Sequence, residues 1–461
     1  MTSPSTERRS TAAKGGGGSA VSRRALITSL AVAAGAGAGA VLAFRGDDAP
    51  ASPAPATSAD PPLPEPSHGT YQAGIATPQQ RYACFAAFDL DVGAPAGKAP
   101  STAQTAVGFQ ELMERWSGAA ERLMRGRPAG PLPVNRPGAP ADSGIADGLQ
   151  ASGLTVTFGL GPELFDRIGR KDLRPRHLRE LPAFSTDRLE PAWSGGQLFV
   201  QICGDDPQIV SHAFRSLRGR APGLARLRWS QQGFLGRFGD ATPRNLFGHK
   251  DGTANPRPGT AAFDDAVRVT AADEPSWFTG GTYLVFRKIR MDLPKWDTST
   301  AQQQDQTIGR RRDTGAPLSG GHEFTPLDLT RTGPDGEPLI PADSHLALVR
   351  DIPMLRRSYN YDYAFQAAPS AEHRHDGDDR PGHSHDDPLH DHAGTGHDTY
   401  DTGMLFCAYL RDPADFIRAQ RKMAAADRLN AFIQHTGSAV FAIPPAAEPG
   451  RHLAAALFPA H

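Results

Sequence analysis

Three polar side chains in the second half of the chain have the types that peroxide chemistry needs. Asp251 lies within Gly248–Pro256, in a tight turn between two glycines that could act as hinges, and His345 and Arg356 follow about a hundred residues later. An imidazole can be the axial ligand of a haem iron, and a carboxylate can move the proton of a peroxide. A fixed guanidinium can stabilise the charge on a breaking O–O bond. The set therefore predicts peroxide chemistry at a haem.

Length and composition exclude several other classes of protein. The chain has 461 residues, enough for a large core divided between two modules. Its formal net charge is -1, so no global field favours a nucleic-acid partner. Three cysteines lie far apart without a CxxC spacing, which excludes zinc ribbons, c-type haem attachment and iron–sulfur clusters. Their odd number argues against a disulfide framework.

The first 48 residues are predicted to be an export signal. Arg23 and Arg24 precede a weakly apolar run of Ala, Gly, Val and Leu that ends near Phe44. This pattern is typical of a twin-arginine (Tat) signal, which predicts passage through the Tat translocase and a location outside the cell or in its envelope. A single membrane anchor is the alternative, because the run would just reach across a bilayer. Residues 49–78 are rich in Pro, Ala, Ser and Asp and are predicted to be a linker.

The remainder is predicted to be an α+β fold with two ferredoxin-like halves around one pocket. In the N-terminal half, 79–220, strands are predicted over 81–90, 154–160 and 198–203, and helices over 105–125 and 209–217. That order is typical of a ferredoxin-like unit. In the C-terminal half, 221–461, strands are predicted over 224–232 and 281–288, a helix over 413–433, and a short apolar segment over 437–443.

Residues 369–400 form an insertion rich in histidine and aspartate. Its histidines are His373, His375, His383, His385, His390, His392 and His397. Because it has almost no apolar residues, it is predicted to be a solvated loop. It is either an inert insertion or a loose site for copper, nickel or zinc, whose ions imidazole and carboxylate groups suit. It is not predicted to be the catalytic centre, since a flexible loop cannot preorganise one.

Several separate motifs together resemble one known family. They are GxxDGT at 248–253, IGRxxxxGAPL at 308–318, DSHLAL at 343–348, LRRSYNY at 355–361, MLF at 404–406 and HTGSAVF at 435–441. Their types and order resemble the dye-decolorising peroxidase family from about residue 79 to residue 445. With the Tat-like signal, the chain most resembles the exported bacterial subgroup, which includes deferrochelatase-like members.

The resemblance implies two ferredoxin-like halves and one haem b per chain, held mainly by the second half. It assigns His345 as the proximal iron ligand, Asp251 as the distal acid and Arg356 as the distal arginine. Arg350 would meet a propionate. The backbone of three residues would border the haem: Gly252, Thr253 and Ala254. His249 departs from the family pattern, which often has an apolar or aromatic residue there, so it is not interpreted as the base.

The implied activity is that of a secreted peroxidase that uses hydrogen peroxide to oxidise bulky aromatic or dye-like reductants through a ferryl haem. Such reductants would not fit a buried pocket, so electrons would pass through aromatic side chains. The candidates are Tyr359, Tyr361, Tyr363, Trp277 and Trp296. The three tyrosines alternate in one strand-like run and would share a face. Ordinary strand packing is the alternative explanation.

Proximal histidines usually donate their other N–H to an acid. Asp412 is the candidate for this role, and Asp343 is the alternative. Two other functions remain open: a deferrochelatase that releases iron from haem and leaves the porphyrin intact, or a non-enzymatic scavenger of haem or metal. The oligomeric state is also open, a homo-oligomer included.

Overall fold

The structure is a computed structural model that describes residues 69–93, 98–131, 142–236, 241–272, 274–366, 399–448 and 450–458. The predicted export signal, the linker up to residue 68 and the histidines of the insertion lie outside these residues. Within the described part of the chain, no helix combines the length and apolarity that a membrane span requires.

The first half is a four-stranded antiparallel unit with helices. Its strands are β1 (Tyr82–Leu90), β2 (Thr155–Leu160), β3 (Leu198–Gly204) and β4 (Ala225–Phe234). Its helices are α1 (Thr102–Met124), α2 (Pro162–Arg167) and α3 (Pro207–Arg218). The strand order is β2-β3-β1-β4. β4, which the sequence prediction assigned to the second half, pairs with β1 along its length.

Helix α1 shows how the sequence sets these elements. Ser101 caps its first turn and forms a capping box with Gln104. Apolar residues at helical spacing, including Phe109 and Trp116, form its buried face. The Trp116 indole donates to the carbonyl of Leu217 at 2.9 Å, which joins α1 to α3. Replacing this fully buried ring with alanine would cost about 3–5 kcal/mol of stability.

The second half repeats the arrangement. Its strands are β5 (Thr282–Met291), β6 (Leu355–Arg356), β7 (Tyr359–Gln366), β8 (Thr399–Leu410) and β9 (Ile433–Ile443). Its helices are α4 (Ala261–Val267), α5 (Leu293–Asp297), α6 (Ala301–Ile308), α7 (His345–Val349) and α8 (Pro413–Ala426). β5 pairs with both β8 and β9, and β8 pairs with β6 and β7.

The two halves share one nine-stranded sheet, ordered β5-β9-β2-β3-β1-β4-β7-β8-β6. Single register pairs join them at Leu160 with Ala442 and at Phe234 with Asn360. The described strands therefore confirm the predicted α+β class, and helices lie against the sheet in both halves.

Two element boundaries differ from the predictions. The helix predicted to reach residue 433 ends at Ala426, because Asp427 has an extended backbone with φ -69° and ψ 122°. Strand β9 then begins at Ile433, so the predicted apolar segment is the end of a longer strand. The predicted linker is also too long, since Gln72 is buried and exchanges hydrogen bonds of 2.9 and 3.1 Å with the backbone of Phe158.

Candidate active site

The loop that carries Asp251 turns at the two glycines predicted to act as hinges. Gly248 has φ +81° and Gly252 has φ +113°, in the region that L side chains rarely adopt. The N–H of Asp251 donates to the carbonyl of Pro243 at 2.9 Å. These constraints fix the direction in which the carboxylate leaves the loop.

Asp251 and Arg356 form an ion pair. A guanidinium nitrogen of Arg356 lies 3.2 Å from Oδ1 of Asp251, and both side chains are partly exposed. The neighbouring Arg357 is buried elsewhere and donates to the carbonyl of Thr77 and to Gln80. The structure therefore separates the two arginines, placing Arg356 beside the acid and Arg357 in a structural role.

His345 is the first residue of the short helix α7, and its imidazole is held by a buried acid. Nδ1 of His345 lies 2.7 Å from Oδ2 of Asp427, whose side chain is 1 % exposed. The second oxygen of Asp427 accepts the N–H of Leu429 at 2.8 Å. Because Asp427 engages Nδ1, Nε2 is the nitrogen left to bind a ligand.

The sequence assignment of the acid beside His345 was wrong. Asp412 instead caps helix α8 by accepting the N–H of Ala414 at 2.8 Å. Asp412 and Asp427 flank opposite ends of this 14-residue helix, which at 1.5 Å per residue separates them by about 20 Å. The alternative, Asp343, accepts a hydrogen bond from Arg428 at 2.6 Å.

These side chains line one cavity of about 670 Å³. Asp251, Arg356 and His345 all contribute to its wall, as do the predicted neighbours Gly252, Thr253, Ala254 and Arg350. Much of the remaining wall is apolar and includes Phe247, Ile289, Ile308, Met404, Phe406 and Ile433. A volume of this size is typical of sites that enclose a cofactor or a drug-sized ligand.

Cations line the same cavity. Arg350 donates to the carbonyl of Ala347 at 2.9 Å and lies 3.4 Å from Asp351. Arg310 donates to the carbonyls of Gly315 and Glu323 at 2.7 Å each. It belongs to the IGRxxxxGAPL motif but was not predicted as a site residue from the sequence. Burial lowers the pKa of Arg310. An apolar wall with several cations suits an apolar ligand that carries anionic groups.

His249 also reaches this cavity, but both of its ring nitrogens have protein partners. Nε2 lies 3.3 Å from Asp305, and Nδ1 lies 3.4 Å from the carbonyl of Phe247. Burial lowers the pKa of His249. His249 is therefore part of the cavity wall, and both of its ring nitrogens are already engaged.

The aromatic candidates for electron transfer occupy different places. Tyr359, Tyr361 and Tyr363 pack on the same core cluster, so the prediction that they share a face is confirmed. The rings of Tyr361 and Tyr363 are 5.2 Å apart, and the ring of Tyr359 lies 5.8 Å from that of Phe85. Trp296 lies 4.4 Å from the cavity-lining Phe247. Trp277, which is half-buried, packs against Phe165 and donates to the carbonyl of Leu173.

Two further residues organise the site, and neither was predicted from the sequence. Asn255 contacts the backbone of Arg356 through both atoms of its amide. Glu323 accepts a hydrogen bond from Thr253 at 3.0 Å and forms an ion pair with Lys250. The signal for Asn255 was its place in the Gly248–Pro256 segment, just after the GxxDGT motif, where an Asn before Pro indicates only a turn. Glu323 has no comparable local signal.

Comparison with known proteins places this site in a family. A family model described as Dyp-type peroxidase, N-terminal, matches residues 72–235, and one described as Dyp-type peroxidase, C-terminal, matches residues 242–448. The chain is 34 % identical to a dye-decolorizing peroxidase of Thermobifida fusca over 98 % of both chains. It is 30 % identical to a deferrochelatase of Yersinia pseudotuberculosis over 86 % of this chain and 85 % of the other.

A solved structure extends the comparison to the fold. Ferric DtpA from Streptomyces lividans superposes with a TM-score of 0.71 at 35 % sequence identity, covering 85 % of this chain and 96 % of that chain. The two family models match both halves of the sheet, and the second covers Asp251, His345 and Arg356. The chain therefore belongs to the Dyp-type peroxidase family.

Proposed function

We propose that this haem peroxidase holds one haem b in the cavity described above and uses hydrogen peroxide to oxidise bulky aromatic or dye-like reductants. The observation that carries the proposal is that His345 and the Asp251–Arg356 ion pair line the same cavity. His345 can ligate iron, Asp251 can move the proton of a peroxide, and Arg356 can stabilise the charge on its breaking O–O bond.

The residues present fit a haem. Nδ1 of His345 is engaged by a buried carboxylate, which fixes the tautomer that offers Nε2 to iron. The apolar wall suits the macrocycle, and Arg350 and Arg310 can pair with its propionates. The sequence has no CxxC, so attachment is non-covalent, as in haem b. The similar structure from Streptomyces lividans is ferric DtpA, which supports an iron-containing cofactor here.

When bound, haem supplies the iron at which peroxide is reduced. The protein contributes a proton acceptor and a fixed cation beside it. Asp251 accepts a proton from peroxide at one oxygen and returns it at the other, directly or through a water molecule. Arg356, 3.2 Å from Asp251, stabilises the negative charge that grows as the O–O bond breaks. Asp427 fixes the orientation of His345 by accepting a hydrogen bond from its Nδ1.

Reductants too large for the cavity would be oxidised through aromatic side chains. Tyr361 donates its hydroxyl proton to Asp401 at 2.9 Å, so the carboxylate can take that proton when the ring loses an electron. Tyr363, partly exposed, lies 5.2 Å away and can pass the oxidising equivalent towards the surface. Trp296, close to the cavity wall, is a second starting point.

A deferrochelatase activity is the second candidate, and the relative from Yersinia pseudotuberculosis favours it. The same cavity would hold haem, but the products would be free iron and intact porphyrin. Incubation of the haem-loaded protein under reducing conditions, followed by chromatography for protoporphyrin, distinguishes the two activities. A peroxidase that releases no metal-free porphyrin excludes this candidate.

Arg23, Arg24 and the apolar run that follows support export through the Tat translocase to the envelope or the extracellular space. Replacing both arginines with lysine would retain the protein in the cytoplasm.

The histidine-rich insertion supports weak binding of copper, nickel or zinc. A homo-oligomer is compatible with these assignments and is tested by sedimentation.

The decisive experiment measures peroxide turnover in purified haem-loaded protein and in the Asp251→Asn and Arg356→Leu variants. A Soret band with turnover that falls in both variants supports the proposal and argues against a scavenger. Turnover that is unchanged in both variants would remove Asp251 and Arg356 from the mechanism.

A further inference from the structure

Asn255 holds Arg356 by its backbone. Its Nδ2 donates to the Arg356 carbonyl at 2.7 Å, and its Oδ1 accepts the Arg356 N–H at 3.0 Å. Strand β6 ends the order of the sheet and pairs on one side with β8, where Arg356 lies opposite Ala408. The side-chain amide of Asn255 therefore takes the place of a neighbouring strand on the other side of Arg356.

Asn255 also belongs to the turn that carries the acid. Its N–H donates to the Gly252 carbonyl at 2.9 Å, and Gly252 directly follows Asp251. One short turn thus bears the carboxylate of Asp251 at its start and the amide that holds Arg356 at its end. The hydrogen bonds of Asn255 to the Arg356 backbone therefore affect the distance between the Asp251 carboxylate and the Arg356 guanidinium.

Glu323 fixes the middle of the same loop. It accepts a hydrogen bond from Thr253 at 3.0 Å and pairs with Lys250, so it holds a residue on each side of Asp251. Burial alone would raise the pKa of Glu323, but hydrogen bonds from Lys250, Thr242 and Thr253 outweigh burial and keep its pKa below the usual range. Glu323 therefore anchors the loop, and Asn255 connects the anchored loop to Arg356.

The ion pair cannot set its own geometry. The Asp251 and Arg356 side chains are 21 % and 26 % exposed, and partly exposed pairs of flexible side chains hold each other only weakly. A backbone anchor for Arg356 is needed if its guanidinium is to stand at a fixed place. The two hydrogen bonds from Asn255 provide that anchor.

We propose that Asn255 is a positioning residue for peroxide reduction, because it fixes the backbone of Arg356 to the loop that bears Asp251. It contacts neither peroxide nor cofactor in this role and acts through Arg356. The inference rests on the proposed roles of Asp251 and Arg356.

The test compares Asn255→Ala with Asn255→Asp, which keeps the acceptor for the Arg356 N–H and loses the donor to its carbonyl. Gln72→Ala is the control, because Gln72 makes the same two-bond contact with the backbone of Phe158; its Nε2 also donates to the carbonyl of Pro444 at 2.9 Å. Three quantities are measured. They are the stopped-flow rate of the peroxide-driven spectral change, the Kd of fluoride by Soret titration, and hydrogen exchange in a peptide containing Arg356, with and without haem.

Asn255→Ala is expected to slow the peroxide step by about tenfold to a hundredfold, the usual effect of a misplacement of about 1 Å. It should also weaken fluoride binding and accelerate exchange at Arg356 in the haem-free protein. Asn255→Asp should fall between parent and Asn255→Ala. Gln72→Ala should lower thermal stability while the rate and the fluoride Kd stay within about twofold of the parent.

A peroxide rate within about twofold of the parent in Asn255→Ala, despite faster exchange at Arg356, would overturn the proposal. Equal slowing in Gln72→Ala would also overturn it, because the effect would then reflect general stability. If Asn255→Ala does not fold, Asn255→Asp decides by the same criteria. Arg356→Leu is measured alongside: a normal rate there removes the proposed role of Arg356 on which this inference rests, whereas a slow rate there with a normal rate in Asn255→Ala defeats this inference alone.

Discussion

Replacing Asp427 with asparagine tests the structural assignment of the acid beside His345. The carboxylate accepts two N–H groups, one on each oxygen: Nδ1 of His345 at 2.7 Å and the N–H of Leu429 at 2.8 Å. Asparagine has the same shape but only one acceptor oxygen, so it cannot reproduce both contacts. Asp427→Asn therefore removes a charge-assisted hydrogen bond from the histidine, or weakens it, without creating a cavity.

The magnitude follows from the burial of this pair. The Asp427 side chain is 1 % exposed, so solvent does not screen its charge. Hydrogen bonds to charged groups contribute about 1.5–3 kcal/mol, and loss of an acid behind a ligating histidine typically costs about 10- to 100-fold. If the lost interaction favours ferric over ferrous iron by this factor, its removal raises the midpoint potential of the haem by about 60–120 mV. A tenfold change in the equilibrium corresponds to about 59 mV for one electron.

The assay is a spectroelectrochemical titration of the haem-loaded protein, with Asp412→Asn as the control. Asp412 caps helix α8, and asparagine caps a helix about as well as aspartate, so this variant should match the parent in potential and stability. A shift below about 20 mV in Asp427→Asn would refute the reasoning. An equal shift in both variants would refute it as well.

Four other outcomes are expected. His345→Ala should lose stable haem binding while its circular dichroism stays native; a full histidine-ligated Soret band would exclude His345 as the ligand. Arg356→Leu should keep haem and slow the stopped-flow peroxide step by about a hundred- to a thousandfold, and an unchanged rate would contradict its role. Deleting 369–397 should leave peroxide turnover within a few-fold, since β7 and β8 already pair at Gln366 and Thr399; copper titration shows whether metal binding is lost with the loop, and loss of haem would show the loop to be structural. Burial lowers the pKa of His435 to about 3, against about 6.5 when unfolded. Its contribution to stability is therefore complete above about pH 6.5 and falls by about 1.4 kcal/mol per unit towards pH 3, so chemical denaturation of His435→Gln should show a flatter acid limb than the parent.

The elements that a local pattern can specify were predicted well. β1 and β3 are runs of apolar residues bounded by polar ones, and almost all of their side chains are buried. Helix α1 carries its apolar stripe between a capping box and a glycine. In such segments propensity, periodicity and end signals agree, so sequence alone is sufficient.

The errors arose where a tertiary contact decides. Asp427 lies 82 residues from His345, and nothing in the spacing of either connects them. Its neighbours instead continue the apolar pattern of α8, which is why the helix was predicted to run on to residue 433. Helix α8 ends at Ala426 in the structure. The Asp427 carboxylate then contacts His345 and caps the turn that follows. A tertiary contact here overrides the local pattern.

The two sides of the site differ in how completely the protein alone sets their geometry. His345 is held by an acid that is almost fully buried, so its orientation is fixed by the fold. Asp251 and Arg356 are each about a quarter exposed, and their mutual attraction is screened by solvent in the cavity. A haem filling this cavity would exclude much of that solvent and strengthen the pair. We therefore expect the proposed roles of Asp251 and Arg356 in peroxide reduction to reach their full electrostatic effect only when the cofactor is in place.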